Sequence, residues 1–429
     1  MDDESRMKKK PFKLAKGVSN IELFYDLIFV YCISVVTSVL HHPADGFFDI
    51  ETYLLYFIDM MTILQIWFFT TYLQNRYGDG GALDNVCLFI NMFLLFFMAG
   101  CVGEGWQWSF LTWNFVWGLI LVDLLVHWGI KRFRYSNLDD DDKSIMNRTM
   151  GVLAIQAIIV FGAAFLPWES GSWVSLIGFA FGWLAFWRGR RLTDKPTRFD
   201  HLAERCALLV IVVFGETIVA IASYMEHDNL PFATLVFLLV VGLFLVYFFE
   251  HDYMLDHHHD SNGISYMLLT SWIVFAVANI TVALEYLPED DVLMLPKAVY
   301  VTGTLCLYLL TSFAVFRFNK PQFRASIPLI VSRLIACAII ILGGALMRYD
   351  PLVTLAIDTV VVWAELAHEW TLYHARVAIT ERAEELGYGE DATIEILDEL
   401  LETPEGRKKL IEYERLAVQA ARNDERNDR

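Results

Sequence analysis

Residues 230–249 read LPFATLVFLLVVGLFLVYFF, twenty positions without a charged side chain. A helix of about 20 residues rises about 30 Å, which is the thickness of the hydrocarbon core of a bilayer. The core of a soluble domain does not require an apolar block of this length. The stretch therefore predicts a helix that spans a membrane.

Similar blocks recur along the 429 residues, of which 56% are hydrophobic. No stretch alternates with the two-residue period of a barrel strand, and backbone polar groups in lipid must be satisfied within the segment. The sequence therefore predicts an all-α, polytopic transmembrane helical bundle of about twelve spans. The predicted spans are 20–41, 52–74, 84–101, 109–130, 148–166, 171–188, 203–225, 230–250, 264–286, 297–317, 327–347 and 351–373.

Lysine and arginine alternate between loops as the positive-inside rule requires. Of the 33 such residues, 30 fall in the N-terminus, the C-terminal tail and every second loop or its flanking helix ends. The opposite loops hold only Lys297 and Arg348, and Arg333 lies within a span. This distribution predicts a multi-pass protein of the cytoplasmic membrane with both termini in the cytoplasm.

The net charge of −18 is carried by acidic loops and an acidic tail, which we interpret as solvated surface. Basic residues follow the topology rather than a groove, so the lipid bilayer is a predicted partner and nucleic acid is not. The six cysteines lack the spacing of a zinc knuckle or a disulfide framework. We interpret them as small core residues. No cofactor is evident.

An internal duplication is visible at an offset of 181, where AIIVFGAAF (157–165) aligns with AIIILGGAL (338–346). Nearly the same offset relates residues of three other helices. We predict two parallel six-helix repeats, residues 20–190 and 191–373, with a shared interface at the centre of the protein. A basic cytoplasmic N-terminus (1–19) precedes them, and a cytoplasmic helical tail (374–429) follows.

Two stretches are similar to the signatures of the low temperature requirement A (LtrA) family of bacterial and fungal membrane proteins. They are ELFYDLIFV (22–30) and HLAER (201–205), which continues to FGETIVAI (214–221). Two departures are Cys206-Ala207 in place of the usual Phe-Gly and Thr217 in place of the usual Ser. The resemblance covers about 20–373 and implies the fold and the membrane location. The family name comes from a cold-growth phenotype, and no settled activity is implied.

Ionisable side chains at membrane depth are costly unless they are paired or hydrated, so they are default candidates for a functional site. Glu216 is the first candidate because it is predicted near mid-membrane; the alternative is a protonated glutamate that joins two helices. Glu22 and Asp26 share a helix face and repel each other unless a cation such as Arg205 lies between them. The alternative is a network that only holds the two repeats together. The candidates for an ion pathway are Glu216, Asp26, Glu22, Glu204, Arg205, His201 and Thr217.

A second polar group is predicted along one stripe of the last span. The pattern Glu365-x-x-His368 is used by di-metal sites of helical bundles, but those sites need a second such motif, which the spans lack. The alternative is a solvated helix end. The members are Asp358, Glu365, His368 and Glu369, with Asp123 and His127 of the fourth span as candidate partners. Arg333 and Asp59 are each predicted to be paired within the bundle.

The loop around His257, His258 and His259 has ligand types for a divalent metal. A triple histidine in a flexible loop often binds metal only incidentally, so these residues are weak candidates.

Buried carboxylates around a pseudo-twofold interface favour a small-cation or proton-linked transporter or channel over two alternatives. One alternative is a membrane-embedded metal-binding enzyme, although no catalytic motif occurs and the protein is not predicted to be an enzyme. The other is a non-transporting sensor or scaffold for stress or cold adaptation, with the tail as effector. The sequence indicates no oligomeric state.

Overall fold

The computed structural model describes residues 17–385 and Leu397, apart from 42–45, 103–105, 136–137, 194, 223–229, 290–291 and 347–349. Within these residues the chain forms twelve α-helices and no β-strand. The helices are α1 (Asn20–Thr37), α2 (Ile50–Tyr77), α3 (Ala82–Ala99), α4 (Trp106–Arg134), α5 (Asp140–Ala164), α6 (Trp168–Gly189), α7 (Phe199–Ile221), α8 (Leu230–Phe249), α9 (Ile264–Tyr286), α10 (Met294–Val315), α11 (Ile327–Gly344) and α12 (Pro351–Glu385).

Eleven of these helices are long and apolar enough to cross a membrane, counted over the described part of the chain. The other helix is α7, which carries four charged side chains: Asp200, Glu204, Arg205 and Glu216. Large apolar side chains are exposed on several spans, for example Phe93 of α3, Ile158 of α5 and Trp173 of α6. Such faces suit contact with lipid rather than water. The predicted all-α, multi-pass transmembrane bundle is confirmed.

Most helix ends lie within a few residues of the predicted spans, but two helices extend well beyond them. Helix α5 begins at Asp140 rather than at 148, and α12 continues to Glu385 rather than ending at 373. The Asp139 carboxylate caps α5 by accepting a hydrogen bond from the Asp142 amide at 2.7 Å. Both extensions are polar, so a hydropathy pattern does not detect them.

The polar extension of α12 is attached to the linker between α10 and α11. Arg376 donates from Nη1 to the carbonyl oxygens of Gln322 at 2.8 Å and Arg324 at 2.9 Å. Apolar residues of the same extension, including Tyr373, pack against buried Phe323 of that linker. This end of α12 is therefore fixed to its neighbours by both polar and apolar contacts.

The chain divides into two compact units. Unit 1 comprises Met1–Ala220 and His257–Leu293, which include α1 to α7 and α9, and its most enclosed helices are α2 and α9. Unit 2 comprises Ile221–Asp256 and Met294–Arg429, which include α8 and α10 to α12. The predicted repeats, 20–190 and 191–373, stay a prediction. Most of the predicted N-terminal segment and cytoplasmic tail lies outside the described residues.

All six cysteines are free thiols and five of them are buried. This agrees with their interpretation as small core residues.

Candidate functional site

The first candidate site gathers two carboxylates around one guanidinium inside unit 1. Arg205 of α7 donates from Nη1 to Glu22 Oε1 at 3.0 Å and from Nη2 to Asp26 Oδ1 at 2.6 Å. Glu22 and Asp26 lie one turn apart on α1, so both side chains face α7. All three residues are buried, and Arg205 is completely enclosed. We call this group the Arg205 cluster.

Neighbouring side chains hold the two acids in place. The Glu22 carboxylate closes a capping box with Ser19, whose amide donates to Glu22 Oε2 at 2.8 Å. Trp67 of α2 donates from Nε1 to Asp26 Oδ1 at 2.8 Å. His201 Nε2 lies 4.0 Å from Glu22 Oε1, one turn before Arg205 on α7. Among the described residues, Asp26 Oδ2 and Arg205 Nε have no hydrogen-bond partner.

A chain of hydrogen bonds links the first four helices of unit 1. The Tyr25 hydroxyl lies 2.8 Å from Thr70 Oγ1 and donates to Asn91 Oδ1 at 2.7 Å. Asn91 Nδ2 donates in turn to Asp123 Oδ2 at 3.2 Å. Asp123, a predicted partner of the last span, thus has its hydrogen bond within unit 1.

Unit 2 contains a more acidic cluster around one arginine. Arg333 of α11 donates from Nη2 to Glu250 Oε1 at 2.5 Å and to Glu369 Oε1. Its Nε atom lies 3.7 Å from Glu365 Oε2. All four side chains are buried, and Glu369 is fully enclosed. The solvated helix end that was the alternative for Glu365 and Glu369 is therefore wrong. We call this group the Arg333 cluster.

Glu250 enters the Arg333 cluster because α8 changes its geometry at this residue. The helix continues from Phe249 into a single π-helical turn, Glu250–Met254. A π turn widens the helix locally and is frequent at functional sites. Ser312 of α10 donates to Glu250 Oε1 at 3.4 Å, and Ser332 of α11 donates to Glu365 Oε2 at 3.3 Å.

A third group of acidic and basic side chains, also in unit 1, lies around Lys131. Lys131 of α4 contacts Asp84 at 2.5 Å and Asp79 at 2.9 Å, and His127 Nε2 lies 2.8 Å from Asp84 Oδ1. The Tyr135 hydroxyl also donates to Asp79. We call Asp79, Asp84, His127 and Lys131 the Lys131 cluster. His127, predicted to face the last span, has Asp84 as its partner.

Asp79 lies in the loop between α2 and α3. Its carboxyl group makes the contribution of the Lys131 cluster to the stability of the fold depend on pH. Partial burial raises the pKa of Asp79, but hydrogen bonds from Tyr135 and Lys131 outweigh this and hold the pKa below its usual range. A carboxyl of this kind stabilises the fold above its unfolded pKa of about 3.9, and the contribution is lost as the pH falls through the folded pKa.

We expect Tyr135→Phe to lower the unfolding midpoint at neutral pH, because one donor to the Asp79 carboxylate is removed. The difference in unfolding midpoint between the variant and the wild type should become smaller as the pH falls below about 4. Thermal unfolding in detergent across acidic and neutral pH measures both effects. The control is Tyr31→Phe, since the Tyr31 side chain is exposed on α1. A Tyr135→Phe midpoint that matches the wild type at neutral pH would contradict the assignment.

Three predicted pathway residues on α7 do not join the Arg205 cluster. Glu204 is exposed, and Glu216 is half-buried five residues before the end of the helix, so it does not lie at the midpoint of α7. Glu216 is close enough to Glu285 of α9 for their charges to interact. Thr217 lies 2.7 Å from Thr281 Oγ1 of α9 and joins the two helices.

The remaining predicted residues are dispersed. His257, His258 and His259 follow the π-helical turn after α8. His368 lies between Glu365 and Glu369 on α12, and its Nε2 atom has no hydrogen-bond partner among the described residues. Within the described part of the chain, no group of three histidine, cysteine, aspartate or glutamate side chains is arranged to hold a metal ion.

Two predicted acidic residues are buried away from the clusters. Asp59 of α2 was predicted to be paired, but its Oδ1 atom has no hydrogen-bond partner among the described residues. Asp358 of α12 is completely enclosed, and both of its carboxyl oxygens lack a partner there. Arg333, by contrast, is paired as predicted.

Sequence analysis missed several members of these clusters. Asp79, Asp84 and Lys131 were not among the predicted site residues. A signal existed for the Lys131 cluster, because His127 and Lys131 are one turn apart on α4 and Asp84 opens α3. No local signal pointed to Trp67.

Residues 17–366 match the family described as bacterial low temperature requirement A protein (LtrA), which confirms the resemblance. The match includes the Arg205 cluster and three of the four residues of the Arg333 cluster, Glu369 lying beyond it. No curated protein and no solved structure matches the chain. The chain belongs to the LtrA family of multi-pass membrane proteins.

Proposed function

We propose that the protein is a proton-linked transporter or channel for a small cation in the cytoplasmic membrane, with both termini in the cytoplasm. The observation that carries the proposal is the excess of buried carboxylates over cations. The Arg333 cluster holds three buried acids against one arginine.

Charge balance separates the Arg333 cluster from a purely structural network. If every group were ionised, the Arg333 cluster would carry two uncompensated negative charges in a buried setting. Such a state costs several kcal/mol or more, so the cluster holds protons or a cation to approach neutrality. The Lys131 cluster has two acids beside a lysine and a histidine, and the Arg205 cluster has two acids beside an arginine and His201. Both have the composition expected of an ion-pair network.

The position of the Arg333 cluster along the chain also supports transport. Glu250 directly follows the even-numbered helix α8, and Glu369 lies past the middle of the even-numbered helix α12. In the predicted topology these helices end on the side where lysine and arginine are concentrated. The predicted internal repeat at an offset of 181 supports a central pathway of the kind found in two-repeat transporters.

The test is ion flux by the purified protein in liposomes, with gradients of K⁺, Na⁺ or Mg²⁺ at one acidic and one alkaline pH. We expect wild-type flux that changes with pH, and Glu369→Gln flux whose dependence on pH is weaker because one exchangeable proton is removed. Asp140→Asn, at an exposed position of α5, serves as the matched control. Absence of cation and proton flux in the wild type would reject transport.

A further inference from the structure

Asp358 differs from the other buried acids of unit 2 in its lack of hydrogen bonds to any of the described residues. It is completely enclosed, and neither carboxyl oxygen has a hydrogen-bond partner among the described residues. It lies seven residues into α12, which is about 10 Å from the start of the helix and well inside an apolar depth of about 30 Å.

Three helices enclose this position. Thr354, one turn before Asp358, donates to the Gly343 carbonyl of α11 at 3.2 Å. Thr359 lies 3.4 Å from the Leu235 carbonyl of α8. On the third side, the Cys306 thiol of α10 is within electrostatic range of Asp358. The carboxyl is thus held in a packed interior that offers it no cation.

Few titratable groups surround Asp358 in the described part of the chain. Those on α11 and α12 lie between Asp358 and the Arg333 cluster or belong to that cluster. Cys306 faces it from α10, and α8 carries no titratable side chain between residues 230 and 246. On α11, Cys337 is one turn from Arg333, and its carbonyl lies 3.7 Å from Cys306 Sγ. On α12 itself, Glu365 follows Asp358 by seven residues on the same face, about 10 Å along the helix.

Burial of an isolated carboxylate at this position would cost far more free energy than burial of the neutral carboxylic acid. A carboxyl in such surroundings favours its protonated form and gives up the proton only where a positive charge lies beside it. An apolar side chain of similar size would pack here without this penalty. A carboxyl kept at this position can therefore couple proton release to the presence of a cation.

We propose that Asp358 is the membrane-depth proton-binding site of unit 2, releasing one proton when the transported cation arrives and regaining one when it leaves. On release the O–H bond of the carboxylic acid breaks, and a water molecule that enters with the cation accepts the proton. On uptake the same bond forms again, and no electrons are transferred. This assignment rests on the proposed function and specifies which side chain links proton to cation.

The first measurement is chemical. A hydrophobic carbodiimide attacks protonated carboxyl groups in apolar surroundings and forms a stable N-acylurea, which peptide mass spectrometry can locate. In the purified protein we expect modification of Asp358 that decreases when K⁺, Na⁺ or Mg²⁺ is added. An unmodified Asp358, or modification that none of these three ions affects, would overturn the assignment.

The second measurement is transport. Asp358→Asn is expected to fold and to lose flux by about a hundredfold, as when a positioned acid–base group is removed, with partial recovery in Asp358→Glu. Asp140→Asn again serves as the control. Wild-type flux that Asp358→Asn leaves unchanged would overturn this assignment alone, whereas absence of flux in the wild type would overturn the proposed function with it.

Discussion

Arg333→Gln is expected to be the most damaging single substitution in unit 2, with a loss of about 3–5 kcal/mol of folding stability. The glutamine would leave Glu250, Glu365 and Glu369 buried without a cation. The Arg333 guanidinium now contacts all three carboxylates, so no second group can replace it. Thermal unfolding in detergent and the yield of monodisperse protein measure the loss.

A compensating variant separates lost charge from lost packing at this position. Combining Arg333→Met with Glu250→Gln and Glu369→Gln removes most of the buried charge together, and such replacements are often neutral or stabilising. We expect this triple variant to recover most of the stability lost in Arg333→Gln. Arg317→Gln, at an exposed arginine, is the control and should stay within about 0.5 kcal/mol of the wild type. Wild-type stability in Arg333→Gln would refute the expectation.

Arg205→Gln is expected to have the second largest effect, again about 3–5 kcal/mol, because it leaves Glu22 and Asp26 buried and unpaired. Arg205→Lys should recover only part of the loss. The guanidinium reaches the two carboxylates from two separate nitrogens, and a single ammonium cannot reproduce that fork.

A double-mutant cycle with Asp26→Asn identifies the partner. Because Arg205 Nη2 lies 2.6 Å from Asp26 Oδ1, the combined variant should lose less stability than the sum of the two single losses. We expect a coupling of about 0.5–3 kcal/mol. Arg148→Gln, at an exposed arginine of α5, combined with Asp26→Asn gives the uncoupled reference. Additive losses in the Arg205 cycle would show that the pair does not interact as described.

The twelve helices could be predicted because each spanning helix must be apolar over about the same length, whatever its neighbours are. The polar parts of the helices that lie outside this apolar length could not be predicted. The extension of α12 to Glu385 and the start of α5 at Asp140 depend on polar contacts and helix caps, such as the one made by Asp139. Hydropathy contains no information on either feature.

The candidate sites were predictable only where two like charges lie close together in the sequence. Glu22 and Asp26 repel each other one turn apart, which required a cation, and Arg205 meets them. Glu204 precedes Arg205 in sequence, but successive helical residues point about 100° apart, so Glu204 is exposed. Arg333 and its partners come from three separated segments, and only tertiary packing brings them together.

The attachment of Arg376 to the carbonyl oxygens of Gln322 and Arg324 has a mechanical consequence. From residue 373 to Glu385, α12 continues for about 18 Å without a break, so it acts as a stiff rod. We therefore expect a tilt of α12 at the Arg333 cluster to move the helix as far as Glu385, with the contacts of Arg376 to the linker as the pivot.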